Sequence, residues 1–293
     1  MQINAYAKIN LGLDIIGKRP DGYHDLKMIM QTIDLHDVIT LEVIPEVNGS
    51  SEEGSIIVTC SDGSLPADET NLAGKAARLL FKEFSITDNL EIDIVKNIPV
   101  AAGLGGGSAD AAAVLRGVNE FFGLELSDEE LMERGAKLGA DIPFLIRGGT
   151  ATAHGIGEII EPLGTPDGLS VILAVPDIRV STKEVYEEYD RIAFDGPHPD
   201  IDHLKAAIEM DDTGCIPEFL GNVLEKVTIL KHPVIDKIKE IMMSNGAAGA
   251  LMSGSGPAVF GLFVDDLSVE RTYNALDSSG ITDRLFLTGF YNG

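Results

Sequence analysis

The chain of 293 residues has 22 Lys and Arg against 47 Asp and Glu, and this net charge of -25 opposes attraction to nucleic acids and anionic membranes. Hydrophobic residues make up 44% of the chain, yet no apolar run reaches the roughly 20 residues that span a bilayer. The N-terminal stretch MQINAYAKINLGLDI does not have the basic head and apolar block of a signal peptide, so we expect a cytoplasmic location. Cys60 and Cys215 stand far apart, which excludes a CxxC motif or a Cys/His zinc cluster.

The pattern of apolar residues predicts an α+β protein. Alternation predicts strands in INAYAKINLGLDII, DVITLEVI and SIIVTC, then a helix in NLAGKAARLLFKEF and a strand in LEIDIV. After a glycine-rich segment, we predict a helix in ADAAAVLRGVNEFFG and another in SDEELMERGAKLG, which Ser127 and Glu130 begin with a capping box. A loop in GADIPFLIRGG leads to strands in TATAHGI and LSVILAV.

The C-terminal part is predicted to contain a strand, helices, the strand region MSGSGPAVFGLFV, a helix and the strand LFLTGF. The length favours two domains, which we place at residues 1–160 and 161–293. The polar interval 187–202 is predicted to be either a lid or a linker.

The segment AAGLGGGSAD has glycines at 103, 105, 106 and 107, directly before a good helix former. Free N–H groups of a first helical turn, together with the helix dipole, attract anions without any basic side chain. A tight turn alone needs one or two glycines, so the segment favours a loop that binds a polyphosphate.

Two familiar phosphate-binding motifs do not fit the sequence. The dinucleotide fingerprint GxGxxG fails because Ser108 stands where its third glycine belongs when counting starts at Gly103. The stretch GLDIIGKR resembles a Walker A motif, but Arg19 replaces the hydroxyl residue that binds magnesium, and the interval reads as an apolar strand.

Three further patterns are weak signals when each is taken alone. The stretch MSGSGPAVFGLF places Ser253 to Gly256 between two strand-like segments, where an ordinary hairpin is the alternative to a second wall of the ligand site. In LGADIPF, Asp141 is either a partly buried proton acceptor or an ordinary helix cap or turn residue. Lys8 and Asn10 share one face of a strand, although a lysine there can also extend its amine into solvent.

Taken together and in this order, the stretches AKINLGLDIIGKRPDGYH, IPVAAGLGGGSADAA and LMSGSGPAVF resemble the three motifs of the GHMP kinase superfamily over nearly the whole chain. The likeness is greatest to the branch that acts on a cytidine diphosphate-linked sugar alcohol, because RPDGYH and LGADIPF are typical of it. The resemblance implies the two-domain GHMP kinase fold, with an N-terminal domain like domain 2 of ribosomal protein S5 and a ferredoxin-like C-terminal domain. It also implies ATP and Mg²⁺ as cofactors, and a monomer or homodimer.

The resemblance assigns roles to individual residues. Asp141 matches the general base, Lys8 matches the lysine that keeps this aspartate ionised and stabilises the transferring charge, and Asn10 helps to orient the substrate hydroxyl. Ser108 is the candidate contact for Mg²⁺. The residues implied in ATP binding are Asn71, Pro99, Val100, Ala101, Ala102, Gly103, Leu104, Gly105, Gly106, Gly107 and Ser108.

The same resemblance implies a pocket for the cytidine substrate. Its residues are Asn10, Tyr23, His24, Thr182, Tyr186, Gly254 and Ser255. Stacking on Tyr23 and Tyr186 would hold a pyrimidine, while the imidazole or the backbone groups of His24 would read its edge. The alternative is that His24 is simply a turn residue after Asp21 and Gly22. Many relatives have GGSSNAA where this chain has GGSADAA, and this leaves Asp110 either associated with magnesium or a simple acid near a helix N-terminus.

Two rival functions remain at this point. The chain is also compatible with another small-molecule GHMP kinase, such as a homoserine or mevalonate kinase, which would not need a cytosine pocket. A non-catalytic nucleotide-binding regulator with this fold is disfavoured, because such a protein is expected to have lost Lys8 or Asp141.

Overall fold

The computed structural model describes residues 1–44, 54–192 and 196–292, and they form a mixed α+β structure, as predicted. Within these ranges, no helix is both long and apolar enough to cross a membrane. The strands are β1 (Gln2–Lys18), β2 (His24–Ile44), β3 (Ile56–Cys60), β4 (Asn89–Val95), β5 (Thr150–Gly155), β6 (Ile159–Leu163), β7 (Ser170–Ala174), β8 (Gly221–Asn222), β9 (Gly249–Met252), β10 (Val259–Phe263) and β11 (Leu285–Gly289). The helices are α1 (Leu72–Phe84), α2 (Gly106–Phe121), α3 (Asp128–Ala136), α4 (Ile142–Arg147), α5 (Thr182–Arg191), α6 (Ile201–Glu209), α7 (Val223–Lys231), α8 (Val234–Ser244) and α9 (Asp266–Ser279).

The capping box predicted at the start of α3 is confirmed. The Ser127 hydroxyl accepts the Glu130 N–H at 3.2 Å, and the Glu130 carboxylate accepts the Ser127 N–H at 2.9 Å. These two bonds satisfy N–H groups that have no partner inside the helix, and they fix the residue at which α3 begins.

The loop predicted for GADIPFLIRGG is wrong, because Ile142–Arg147 form the short helix α4. Pro143 occupies the first turn, where a missing N–H breaks no helical hydrogen bond. Ile142, Phe144 and Ile146 are buried, so packing stabilises a helix that is too short to be stable on its own.

The strand β4 ends at Val95, the last residue of the predicted LEIDIV. The helix after the glycine-rich segment begins earlier than predicted, because α2 starts at Gly106 with Gly105 as its N-cap. The strand β6 was not predicted. The region MSGSGPAVFGLFV begins at the last residue of β9 and contains β10, with the second glycine cluster between these two strands. The start of the interval 187–202 belongs to α5, and residues 193–195 lie outside the described residues.

The chain divides into two compact units, each assembled from several segments. The first consists of Met1–Ala7, Leu35–Val100 and Gly105–Arg147. In this unit, β4 pairs antiparallel with the second half of β2 and parallel with β3. The helices α1 and α2 pack on each other, and they bury Leu80, Phe81, Val114 and Leu115 in the core.

The second unit consists of Lys8–Asp34, Ala101–Leu104 and Gly148–Gly293. In it, the first half of β2 pairs antiparallel with β5, β5 pairs with β6, and β1 pairs in parallel with β8. A separate four-stranded antiparallel sheet has the order β11-β7-β10-β9, and α8 and α9 pack against it. The domain boundary near residue 160 stays a prediction.

Candidate active site

Lys8 and Asn10 lie on the polar face of β1, and both side chains are buried. The Lys8 ammonium donates to the Asn10 amide oxygen at 2.6 Å. From Ala7 to Ile15 the strand is covered on both faces, although every second residue is polar or glycine. A buried face that is not apolar costs free energy unless its groups are hydrogen-bonded, and such a face is typical of a functional site.

The two glycine clusters meet in the second unit, at Gly103 and Ser253. A methyl group added to Gly103 would lie 2.3 Å from the Ser253 carbonyl oxygen, and the φ of Gly103 is +81°. Both the space and the backbone conformation therefore require glycine. The Ser253 hydroxyl donates to the Gly103 carbonyl at 2.9 Å and accepts the Asn10 N–H at 3.3 Å.

Gly254 brings the second cluster next to the polar face of β1. A methyl group at Gly254 would lie 3.5 Å from the Asn10 amide oxygen and 3.6 Å from the Lys8 ammonium nitrogen. The Asn222 amide donates to the carbonyls of Met252 and Gly254, at 2.9 and 2.7 Å. The side chain of Asn222 therefore fixes the backbone of the loop that carries Gly254 and Ser255.

The remaining part of the first glycine loop, Gly105–Ser108, lies in the first unit and begins α2. Gly105 is an N-cap with a φ of +72°, and it supplies no side chain to the free N–H groups of the first turn. A methyl group added at Gly107 would meet no atom of the described residues within 4 Å. Among the described residues this helix start thus has no side-chain cap, and there is open space beside Gly107, two features that an anion site needs.

Asp141 is half-buried and directly precedes α4 in the first unit. Its carbonyl accepts the Leu145 N–H at 3.1 Å, so the residue begins the helix through its backbone. The Ser108 hydroxyl lies 3.8 Å from the position of a methyl group on Gly139, and therefore beside the same turn. Lys8 belongs to the other unit, and its pairing with Asp141 stays a prediction.

A buried charge cluster behind the glycine loop was not predicted, except for its member Asp110. The Lys96 ammonium donates to the Asp110 carboxylate at 2.8 Å and to the Asp37 carboxylate. Asp37 also accepts the N–H groups of Asn97 and Ile98, at 2.6 and 2.8 Å. The cluster therefore fixes the chain between β4 and the glycines.

The position of Asp110 bears on the two roles left open for it. It lies in the second turn of α2, whereas the favourable effect of the helix dipole on an acid is confined to the first turn. Its side chain is 2% exposed, one oxygen is bonded to Lys96, and the other has no hydrogen-bond partner among the described residues. Burial raises the pKa of Asp110, Lys96 opposes this rise and Asp37 adds to it, which gives a pKa of about 7.

The Asn71 side chain makes two hydrogen bonds to the protein backbone. Its amide oxygen caps α1 by accepting the Ala73 N–H at 3.0 Å, and its amide nitrogen donates to the Pro66 carbonyl at 3.0 Å. The predicted contact of Asn71 with a nucleotide stays a prediction.

His24 and Tyr186, which the sequence assigns to one pocket, do lie together in the second unit. Their rings stack with centroids 5.1 Å apart and planes at 26°. Tyr189 meets the His24 ring edge-on at 6.4 Å, while Tyr23 is 61% exposed. At the start of the same helix, α5, the Thr182 and Ser255 hydroxyls are hydrogen-bonded at 2.8 Å.

The His24 ring has one strong polar partner that the sequence analysis missed, Asp190, whose carboxylate oxygen is 2.8 Å from Nε2. Asp190 also accepts from the Lys18 ammonium at 2.6 Å. The only local signal was its spacing of four residues from Tyr186, which places both on one face of a helix.

Two family models match the chain. The model described as the GHMP kinases N terminal domain matches residues 71–149, and the model described as GHMP kinases C terminal matches residues 204–282. Curated relatives named 4-diphosphocytidyl-2-C-methyl-D-erythritol kinase resemble this chain over nearly their whole length. The protein from Geobacillus kaustophilus is 49% identical, over 98% of this chain and 95% of its own. The protein from Clostridium perfringens (strain ATCC 13124) is 47% identical, over 100% of this chain and 99% of its own.

Solved structures are similar to this chain in fold, and the first of them also in sequence. A crystal structure of 4-(cytidine 5'-diphospho)-2C-methyl-D-erythritol kinase matches with a TM-score of 0.82 and 30% identity, over 100% of both chains. A homoserine kinase from Cytophaga hutchinsonii matches with a TM-score of 0.76 and 19% identity, over 99% of this chain and 95% of its own. The mevalonate kinase of L. major matches with a TM-score of 0.75 and 15% identity, over 98% of this chain and 95% of its own. The last two share the fold with this chain.

The raised pKa of Asp110 predicts a pH dependence of stability. Between pH 4 and pH 7 the folded protein holds a proton on Asp110 that the unfolded chain, with an ordinary pKa near 3.8, has released. Unfolding then releases this proton, so the free energy of unfolding falls as the pH rises through this window, by on the order of 1–3 kcal/mol. Asp110→Asn should flatten this dependence in urea titrations at a series of pH values. Asp236→Asn, an exposed acid at the start of α8, should leave it unchanged, and an unaltered slope in Asp110→Asn would contradict the assignment.

Proposed function

Because this chain belongs to the GHMP kinase family, and resembles its 4-diphosphocytidyl-2-C-methyl-D-erythritol kinases from end to end, we propose that it transfers the γ-phosphoryl group of ATP to the 2-hydroxyl of 4-diphosphocytidyl-2-C-methyl-D-erythritol. This reaction is a step of the non-mevalonate route to isoprenoid precursors. The observation that carries the proposal is the sequence identity of 47% and 49% to relatives of that name, which extends over nearly the whole chain. The location predicted in the cytoplasm and the state of monomer or homodimer belong to the same proposal.

Asp141 is proposed as the general base, and Lys8 and Asn10 as its partners in the reaction. Phosphoryl transfer asks a protein mainly to align the reactants and to neutralise charge. Asp141 takes the proton of the attacking hydroxyl as the oxygen–phosphorus bond forms, and ADP leaves with the electrons of the broken bond. Lys8 supplies positive charge from a buried position, where an ion interacts more strongly than it does in water. The bond from Lys8 to Asn10 fixes the Asn10 amide, which orients the hydroxyl.

The loop from Pro99 to Ser108 is proposed to bind ATP, with the phosphates on Leu104 to Ser108. The support for this assignment is the uncapped start of α2 and the open space at Gly107. Backbone N–H groups give this loop its attraction for phosphate, which the net charge of -25 would otherwise repel.

Mg²⁺ is proposed as the cofactor, with the Ser108 hydroxyl as its contact. Magnesium is commonly held by one or two protein oxygens together with substrate phosphates, so a three-carboxylate cluster, absent from the described residues, is not required. Bound there, it would neutralise charge on the phosphate oxygens. Asp110 does not fit this role, because it is buried and already bonded to Lys96.

Tyr23, His24 and Tyr186 are proposed to bind the cytosine base, with Thr182 and the Gly254–Ser255 loop on the side of the substrate diphosphate. The exposed ring of Tyr23 and the stacked ring of Tyr186 provide faces on which a pyrimidine can stack. Homoserine and mevalonate have no base to place there, and this difference separates the proposed function from its nearest rivals.

A coupled assay of ADP release tests the function directly. We expect turnover with 4-diphosphocytidyl-2-C-methyl-D-erythritol, and none above background with homoserine or mevalonate. Faster turnover with either of these would assign the chain to another branch of the family. Binding of ATP without turnover of any substrate would favour the non-catalytic regulator.

The Asp141→Asn variant tests the general base. An amide of nearly the same shape keeps the start of α4 but cannot accept the proton, so we expect kcat to fall by about 10²- to 10⁴-fold. The affinity for ATP, measured by calorimetry, should stay the same. Asp128→Asn, an exposed change in the first turn of α3, is the matched control. A kcat close to that of the wild type would remove Asp141 from the mechanism.

The Gly107→Ala variant tests the phosphate loop without disturbing the fold. The added methyl group meets no atom within 4 Å in the described parts of the chain, and alanine is more favourable than glycine inside a helix by up to about 1 kcal/mol. The melting temperature should therefore not fall. If phosphate occupies this space, the KM for ATP should rise by about tenfold to a hundredfold. Gly63→Ala, which also adds a methyl group in open space, should leave KM unchanged. An ordinary KM for ATP in Gly107→Ala would place the phosphates elsewhere.

A further inference from the structure

We propose that Asp190 is a positioning residue that makes the kinase prefer cytosine to uracil, by fixing which ring nitrogen of His24 carries hydrogen. The inference rests on the proposed function, since it concerns how the base of the substrate is read. Asp190 does not itself need to touch the base. It acts through His24, the only residue of the proposed pocket that presents ring nitrogens.

The geometry joins the end of α5 to the beginning of β2. His24 is the first residue of β2, its side chain is 8% exposed, and its Nε2 lies 2.8 Å from one Asp190 carboxylate oxygen. The other Asp190 oxygen accepts from Lys18 at 2.6 Å. Since Tyr186 covers the face of the ring and Tyr189 its edge, His24 is held on several sides by one helix.

Asp190 is an acceptor in this arrangement. Burial raises the pKa of its carboxyl group, but the hydrogen bonds from Lys18 and His24 outweigh this effect and lower the pKa below its ordinary value. An ionised carboxylate has no hydrogen to donate. The hydrogen between Asp190 and Nε2 therefore belongs to the imidazole.

A neutral imidazole that carries its hydrogen on Nε2 has a lone pair on Nδ1. No hydrogen bond of Nδ1 occurs within the described parts of the chain. The nitrogen turned away from Asp190 is thus a hydrogen-bond acceptor that a ligand can use. The bond to Asp190 determines this property, because it selects the tautomer.

The two pyrimidines differ in what they offer to such an acceptor. Cytosine has an amino group at the ring position where uracil has a carbonyl. An accepting Nδ1 pairs with the amino hydrogen, but it faces the uracil carbonyl lone pair to lone pair. If Nδ1 carried the hydrogen instead, it would donate to the uracil carbonyl, and the preference would be reversed. Stacking holds either base, and the tautomer of His24 selects between them.

The test compares the cytidine substrate with its uridine diphosphate analogue in wild type and in Asp190→Asn. Because the amide can both donate and accept, His24 is no longer confined to one tautomer. We expect the ratio of kcat/KM for the two substrates to fall by about tenfold, mainly through a higher KM for the cytidine substrate, with the KM for ATP unchanged. Glu188→Gln makes the same chemical change on α5 at a carboxylate that bonds Arg191, and it should keep the wild-type ratio.

Nitrogen-15 spectra of labelled histidine in the wild type give a second measurement that needs no folded Asp190 variant. With His24→Gln used for assignment, the His24 ring should show hydrogen on Nε2 and none on Nδ1 at pH 8. Hydrogen on Nδ1, or an unchanged substrate ratio in a folded Asp190→Asn variant, would overturn the inference and leave the proposed function intact. A wild-type enzyme that turned over neither substrate would overturn both.

Discussion

Gly103 is the point at which two glycine-containing turns of the chain touch, and the missing side chain is what allows the contact. A single methyl group there would lie 2.3 Å from the Ser253 carbonyl, so any other residue would push the two turns apart. Several hydrogen bonds depend on this approach: Ser253 bonds to both Gly103 and Asn10, and the Lys8 N–H donates to the Leu104 carbonyl at 3.0 Å. The close approach of the backbone at Gly103 therefore helps to position Lys8 and Asn10 on β1.

The features that the sequence predicted are those set by neighbours along the chain. Alternation over a few residues is enough to put Lys8 and Asn10 on the same face of β1, and a spacing of three residues is enough to identify the capping box of Ser127 and Glu130. A helix start directly after consecutive glycines was also readable, and the structure has it at Gly106, while the binding of an anion there stays a prediction.

The features that were missed depend on contacts between distant positions. Asp37 and Lys96 are 59 positions apart, and His24 and Asp190 are 166 apart, so no local pattern reports that they are paired. The helix α4 was missed for a related reason. A proline in a short apolar run suggests a loop, and only burial of Phe144 and its neighbours, which a sequence does not display, makes the helix stable.

The helix α5 is hydrogen-bonded at both ends to parts of the proposed substrate site. Thr182 bonds to Ser255 of the second glycine loop, and Asp190, eight residues later, bonds to His24. At 1.5 Å per residue these two attachments are separated by about 12 Å along a rigid rod. The helix thus fixes the separation between the second glycine loop and His24. If the diphosphate and the base bind as proposed, a substrate with a single phosphate in its linker, or with three, would carry the right groups at the wrong separation, and the length of the linker would be selected along with the base.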